Sequence, residues 1–296
     1  MKRILKPVSC ALLCLLTACS SAPKPQAPPP TEHQSLDRSA RLAFAQGQYA
    51  QAATLYEAAL EQALAEDAPG AIVDTRFNLA LCQTYLGQYA AALTQVAQAE
   101  AERARRGLPG DPELQLLAGT IHYRAGEPGR AQEILDGLLR HSDPTGTTRA
   151  KAHFVAGLIA ADDSTLGPLR EHILALPSDA DSNAQADRME LEGRLAGIEG
   201  DIDRALGLLD QVVILRGTER DYRGMVRALA SAGAIAQQDG RLQAAGTYLL
   251  RAGRSAAQRG EPEARDWLAR AQSLGIQTHD DALAGEAAAI LNSLVD

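Results

Sequence analysis

Gly87-Gln88-Tyr89-Ala90-Ala91-Ala92 is the stretch whose reading decides the fold. Glycine opens a turn at no steric penalty, and an Ala-rich segment that favours helix follows it. The phrase is a Gly, an aromatic or aliphatic residue two positions on, and Ala three positions after that. It recurs as Gly47-Gln48-Tyr49 with Ala52, Gly126-Glu127-Pro128 with Ala131, Gly200-Asp201-Ile202 with Ala205, and Gly240-Arg241-Leu242 with Ala245. A recurring turn between two helices means one unit stacked on itself, and such an array argues against most enzyme classes.

Alignment on the turn extends the pattern outward. Turns fall at Gly47, Gly87, Gly126, Ser164, Gly200 and Gly240, spaced by 40, 39, 38, 36 and 40 residues. Seven residues before them stand Ala40, Ala80, Gly119, Gly157, Gly193 and Gly233, small enough for two helices to cross closely. Twelve residues after them stand Ala59, Ala99, Leu138, Leu176, Val212 and Ala252. In these positions the chain resembles the tetratricopeptide repeat (TPR) family. The resemblance implies an all-α, right-handed α-solenoid of about six helix pairs plus C-terminal capping helices.

The likeness spans about residues 36–258, and the departures from it are specific. Spacings exceed the family's standard length of about 34 residues, so longer second helices or longer connections are expected. The unit at Ser164 lacks both the turn Gly and the following Ala, with Leu169 in its place, and should be irregular. Residues 261–274, with Trp267 and Leu268, and 282–294, with Leu283, Ile290, Leu291 and Leu294, read as two helices that cap the last unit.

The start of the chain carries an address. Lys2, Arg3 and Lys6 precede an apolar run, Val8 to Leu16, too short to span a bilayer of about 30 Å. The run closes on Leu16-Thr17-Ala18-Cys19, which resembles the lipobox of bacterial lipoproteins. The resemblance implies removal of residues 1–18 and lipidation (palmitate and diacylglycerol) of Cys19. Ser20 in the next position implies sorting to the outer membrane, on its periplasmic side. Several acyl chains hold a protein firmly where one does not.

Cys10 and Cys14 leave with the leader, so Cys82 is the thiol that remains, and it reads as a buried, inert one. Residues 19–35 form a tether with five prolines between Ser20 and Thr31, an extended spacer of about 3.1 Å per residue. Residues 36–258 are then the array and 259–296 the cap.

Composition agrees with this division: hydrophobic residues make up 46% but aromatics only 4%. Loss of the three leader cations takes the formal charge from −8 to −11, which argues against nucleic acid as a partner.

Candidate chemistry is sparse. The mature chain has no GxxxxGK, HExxH, GxSxG or CxxC motif, and no two of its six histidines share a helix face at metal-ligand spacing. No cofactor and no enzymatic activity are expected. One metal-like signal remains, Asp179, Asp181, Asn183, Asp187 and Glu190, oxygen side chains at EF-hand spacing. Ala184 stands where that loop needs Gly, so a polar connection with a helix cap is the preferred reading.

The TPR resemblance also implies which side chains face the concave groove. They are Phe77, Asn78, Leu81 and Tyr85, then Leu116, Thr120, Tyr123 and Arg124, then Phe154, Leu158 and Arg194, with Gln237 further on. Rare aromatics at related positions suit an extended or helical peptide. The leading expectation is a membrane-tethered scaffold, pilotin-like in class, that binds a segment of another envelope protein. The alternative is a structural lipoprotein that forms a homodimer through Leu291 and Leu294.

Overall fold

The computed structural model describes residues 31–141, 144–177 and 182–294. The leader, Cys19, the Pro-rich segment up to Pro30, and Asp179 and Asp181 lie outside the described residues. Among the described residues there are fourteen helices and no strand. They pair in chain order as α1 (Glu32–Ala45) with α2 (Tyr49–Ala65), α3 (Pro69–Tyr85) with α4 (Tyr89–Arg105), and α5 (Pro112–Arg124) with α6 (Pro128–His141). Then come α7 (Gly146–Asp162) with α8 (Leu166–Ala175), α9 (Ser182–Glu199) with α10 (Ile202–Thr218), α11 (Tyr222–Gln238) with α12 (Leu242–Ala257), and α13 (Ala264–Gln277) with α14 (Asp281–Ser293).

The first helix starts at a capping box. Thr31 Oγ1 accepts from the Gln34 amide at 3.2 Å and Gln34 Oε1 accepts from the Thr31 amide at 3.1 Å, so α1 begins at Glu32, ahead of the expected residue 36.

Each pair turns in the same way. Gly47, Gly87, Gly126, Gly200 and Gly240 all have positive φ, between 73° and 85°. The next amide donates back across the turn, as Gln88 N to Gln83 O at 2.8 Å, which closes the end of the first helix. Ser164 (φ 55°) and His279 (φ 54°) take this conformation without being glycine. The Ser164 unit therefore keeps its turn, with Thr165 N donating to Ala160 O at 2.8 Å. Its irregularity lies one step later: α8 has only 10 residues, and Leu169 is fully buried where the other units have Ala. The two C-terminal helices turn at His279 as the other pairs do at Gly, so the cap is itself a seventh pair.

The small residues sit where helices cross. A Cβ added to Gly233 would lie 2.8 Å from Leu249 Cγ, so the crossing excludes even a methyl group unless something shifts. All six residues twelve positions after the turns are buried. The added length of the units lies largely in helix, with α2, α3, α4, α7, α10 and α11 at 17 residues each. The middle helix α7 buries ten residues, because its Ala-Lys-Ala-His-Phe-Val-Ala-Gly-Leu-Ile run has small or apolar groups on nearly every side. No helix among the described residues is long and apolar enough to cross a membrane.

Leu291 and Leu294, the expected homodimer contact, are partly buried against the chain's own cluster around Leu249, Leu268 and Leu283. Cys82 is fully buried, and burial pushes its thiol up to about 12, well outside the range of a reactive thiolate.

Candidate binding cavity

The first helices of successive pairs, α3, α5, α7, α9 and α11, line a concave surface that encloses a cavity of about 930 Å³. Apolar side chains form its floor: Leu81 from α3, Leu116 and Leu117 from α5, Phe154, Val155 and Leu158 from α7, and Ile198 and Ile235 beyond them. Helical spacing puts these groups on one face because residues three and four apart stand above one another. Of the twelve side chains expected in a groove, nine meet here: Leu81, Tyr85, Leu116, Thr120, Tyr123, Arg124, Phe154, Leu158 and Arg194. Phe77 and Asn78 do not. Phe77 packs against the cluster that joins Ala80, Ala92 and Val96 of its own unit to Leu114 and Leu117 of the next, and the Asn78 amide donates to Asp74 O of its own helix at 2.9 Å. Gln237 accepts from Arg270 at 2.9 Å and is not part of the lining.

Ionised side chains surround the floor. Six cations line the cavity, Arg124, Lys151, Arg194, Arg216, Arg223 and Arg227, against the five carboxylates of Asp162, Asp187, Asp221, Glu261 and Glu263. Arg227 donates to fully buried Glu190 through Nε to Oε1 at 2.6 Å and Nη2 to Oε2 at 2.8 Å. Lys151 meets Asp187 at 2.6 Å, and Arg216, itself buried, bridges Asp187 and Asp221. Burial pushes the Glu190 carboxyl up, but Arg227, then Arg194 and Arg216, outweigh it and hold it below the usual carboxylate range. The Phe154 ring lies under Lys151, Arg216 and Arg227, with the Arg227 guanidinium 5.0 Å from its centroid. Tyr123 donates to Asp162 at 2.6 Å, and Arg194 donates to the other oxygen of that carboxylate at 2.7 Å.

This network accounts for part of the EF-like signal. Asn183, Asp187 and Glu190 lie within helix α9, and Asp187 and Glu190 turn their carboxylates to Lys151, Arg216 and Arg227. Helical rise spreads those three residues along an axis instead of around a cation, so the loop geometry of a calcium site is not formed by them. Among the described residues, no group of three or more His, Cys, Asp or Glu could hold a metal ion. The fold does bring His153 and His172 together from α7 and α8, Nδ1 to Nδ1 at 3.2 Å, a pair that sequence distance conceals.

The groove pattern gave no sign of the far wall. The connection between α12 and α13 crosses to the N-terminal half: Arg124 Nη2 donates to Glu263 Oε1 at 3.2 Å, and Arg223 donates to Glu261 at 2.6 Å and Glu263 at 2.9 Å. Tyr85 stacks on Tyr49 with centroids 4.4 Å apart and has Arg124 and Arg223 at 5.6 and 5.3 Å from its ring centre. Trp267 completes that side of the lining.

Comparison with known proteins bears on the fold. No protein-family description matches the chain, and no curated protein matches it. Among solved structures it is similar to a tetratricopeptide repeat protein from Parabacteroides merdae, with a TM-score of 0.52 and 12% identity over 89% of this chain and 93% of that one. The chain has a TPR-like fold. Similarity also extends to the C-terminal part of a TPR repeat-containing protein from Cytophaga hutchinsonii, with a TM-score of 0.41 and 16% identity over 87% of this chain and 95% of that one. In the TPR-like array, the all-α solenoid and the concave face follow from the repeat register, while the closing connection depends on how the units accumulate rotation.

Proposed function

We propose that this TPR-like array is a non-catalytic interaction module that holds a peptide segment of another envelope protein in its cavity. The observation that carries the reading is the convergence of nine register-selected side chains on one cavity of about 930 Å³. An apolar floor ringed by ion-paired arginines offers burial for side chains and fixed hydrogen-bond donors for a backbone. The leader and the Leu16-Thr17-Ala18-Cys19 sequence support a lipid anchor at Cys19 facing the periplasm, with Ser20 favouring the outer membrane. In this reading the protein serves assembly or secretion as an accessory, pilotin-like by analogy with other lipoproteins built of such repeats.

The test is cross-linking and capture from the envelope fraction with the whole chain. Wild type should recover a partner that Tyr123→Ala with Phe154→Ala loses, since both side chains line the cavity. Equal recovery by a folded double variant would overturn the cavity assignment. Labelled palmitate should enter the wild-type chain and not Cys19→Ala; label in both would overturn the anchor. Light scattering on the anchor-free chain separates the homodimer alternative.

A further inference from the structure

The connection from α12 to α13, Arg259-Gly260-Glu261-Pro262-Glu263, is seated as a bound segment would be. It reaches units more than a hundred residues away: a Cβ on Gly87 would lie 3.1 Å from Pro262 Cγ, and one on Gly47 would lie 3.3 Å from Arg259 Nε. Its two carboxylates straddle the proline. Arg223 binds both, and Arg124 donates to the same Glu263 oxygen, Oε1, at 3.2 Å. Beneath them the Tyr49–Tyr85 stack, edged by Phe44, makes an apolar base. Two guanidiniums over stacked aromatics form a preorganised receptor for an acidic, extended segment.

The internal fit is incomplete. Arg124 Nε, Glu261 Oε1 and Glu263 Oε2 are buried with no hydrogen-bond partner among the described residues. A segment fixed by helices at both ends cannot adjust to reach them, whereas one without that constraint can satisfy Arg124 fully.

We propose that the Tyr85–Arg124–Arg223 seat is a binding site for an acidic, extended segment of a partner protein, and that Glu261-Pro262-Glu263 is the internal occupant which that segment displaces. This rests on the peptide-binding reading of the cavity and names the chemistry of what binds. Charge complementarity commits the choice, because in a chain of net charge −8 both arginines of the seat make their ion pairs with the two carboxylates of this connection.

The test uses the whole chain and a fluorescent peptide that copies residues 259–267. The peptide should bind the Glu261→Gln/Glu263→Gln variant at least about tenfold more tightly than wild type, whose own segment competes. A copy with both glutamates changed to Gln should not bind, nor should the peptide bind once Arg124→Gln and Arg223→Gln are added. Trp267, the sole tryptophan and a cavity-lining residue, supplies a second readout. Acrylamide should quench it about twofold more strongly in the variant than in wild type, at unchanged helical circular dichroism. If the double variant does not fold, Glu263→Gln alone carries both measurements. Equal peptide binding to wild type and variant, no binding to either, or binding that survives loss of both arginines overturns the proposal. Its failure leaves the Tyr123/Phe154 capture result standing, and failure of capture leaves the peptide exchange readable by itself.

Discussion

Arg227 on α11 and Glu190 on α9 meet through two parallel hydrogen bonds, 2.6 and 2.8 Å, and the carboxylate is fully buried. Removing one partner strands a buried charge, so Arg227→Leu should lower unfolding free energy by about 3 to 5 kcal/mol. The double change to Leu should cost less than the single one, because no orphaned charge is left. Urea denaturation of the three chains checks the order. The folded Glu190 carboxyl lies below its ordinary value, so the stability it supplies is present above that value and lost as pH falls through the folded one. Glu190→Gln should therefore show a flatter loss of stability on acidification than wild type.

Glu261 and Glu263, two residues apart, should respond to pH in opposite senses. Burial pushes Glu261 above its ordinary 4.5, with Arg223 only partly offsetting it, so the stability it supplies is greatest below 4.5 and declines as pH rises through the folded value. For Glu263, burial is outweighed by Arg223 and Arg124, the carboxyl lies below 4.5, and its stability is lost as pH falls. Melting midpoints between about pH 2 and about pH 7 should show Glu261→Gln flattening the decline above 4.5 and Glu263→Gln flattening that below it.

Glycines inside helices divide into two kinds. A Cβ on Gly157 meets the Leu191 side chain and His172 Cβ, so Gly157→Ala should destabilise by about 1 to 3 kcal/mol through overpacking. Gly207, exposed within α10, has nothing within 4 Å of an added Cβ, and Gly207→Ala should stabilise by about 0.5 to 1 kcal/mol. Denaturant midpoints of the two variants should move in opposite directions.

Ser164 holds φ 55° in the turn where five other units have Gly. Ser164→Gly removes a left-handed side-chain penalty and should raise stability by about 1 kcal/mol, while Gly126→Ala, at φ 78°, should lower it by a similar amount. Thermal melting of both distinguishes turn strain from the altered second helix of the Ser164 unit.

Much of the fold was legible because its signals are local. A left-handed turn, a small residue seven positions before it and an apolar residue twelve after it are set by contacts within one unit, and Ala40, Ala80 and Gly119 report them directly. Groove residues were legible for the same reason, since α5 and α7 carry Leu116, Thr120, Tyr123, Phe154 and Leu158 on one helical face. Phe77 and Asn78 departed from that register because neighbouring contacts compete: one packs into the apolar cluster around Ala80 and Val96 and the other satisfies its own helix. The pairing of Glu190 with Arg227 required knowing which face α9 turns to α11. Contact of Glu263 with Arg124 spans 139 residues. It depends on small rotations summed over several unit junctions, each below what a motif records.

That long-range contact alters the mechanics of the chain. An open array frays from its ends, and each unit answers only to its neighbours. Here the first three units lean on the junction before the last pair, which makes a circuit of what would otherwise be a line. Truncation after Ala257 should loosen the Tyr49–Tyr85 stack near the opposite terminus, and tension applied between the termini should meet resistance first at Arg124 and Glu263 before any helix unwinds.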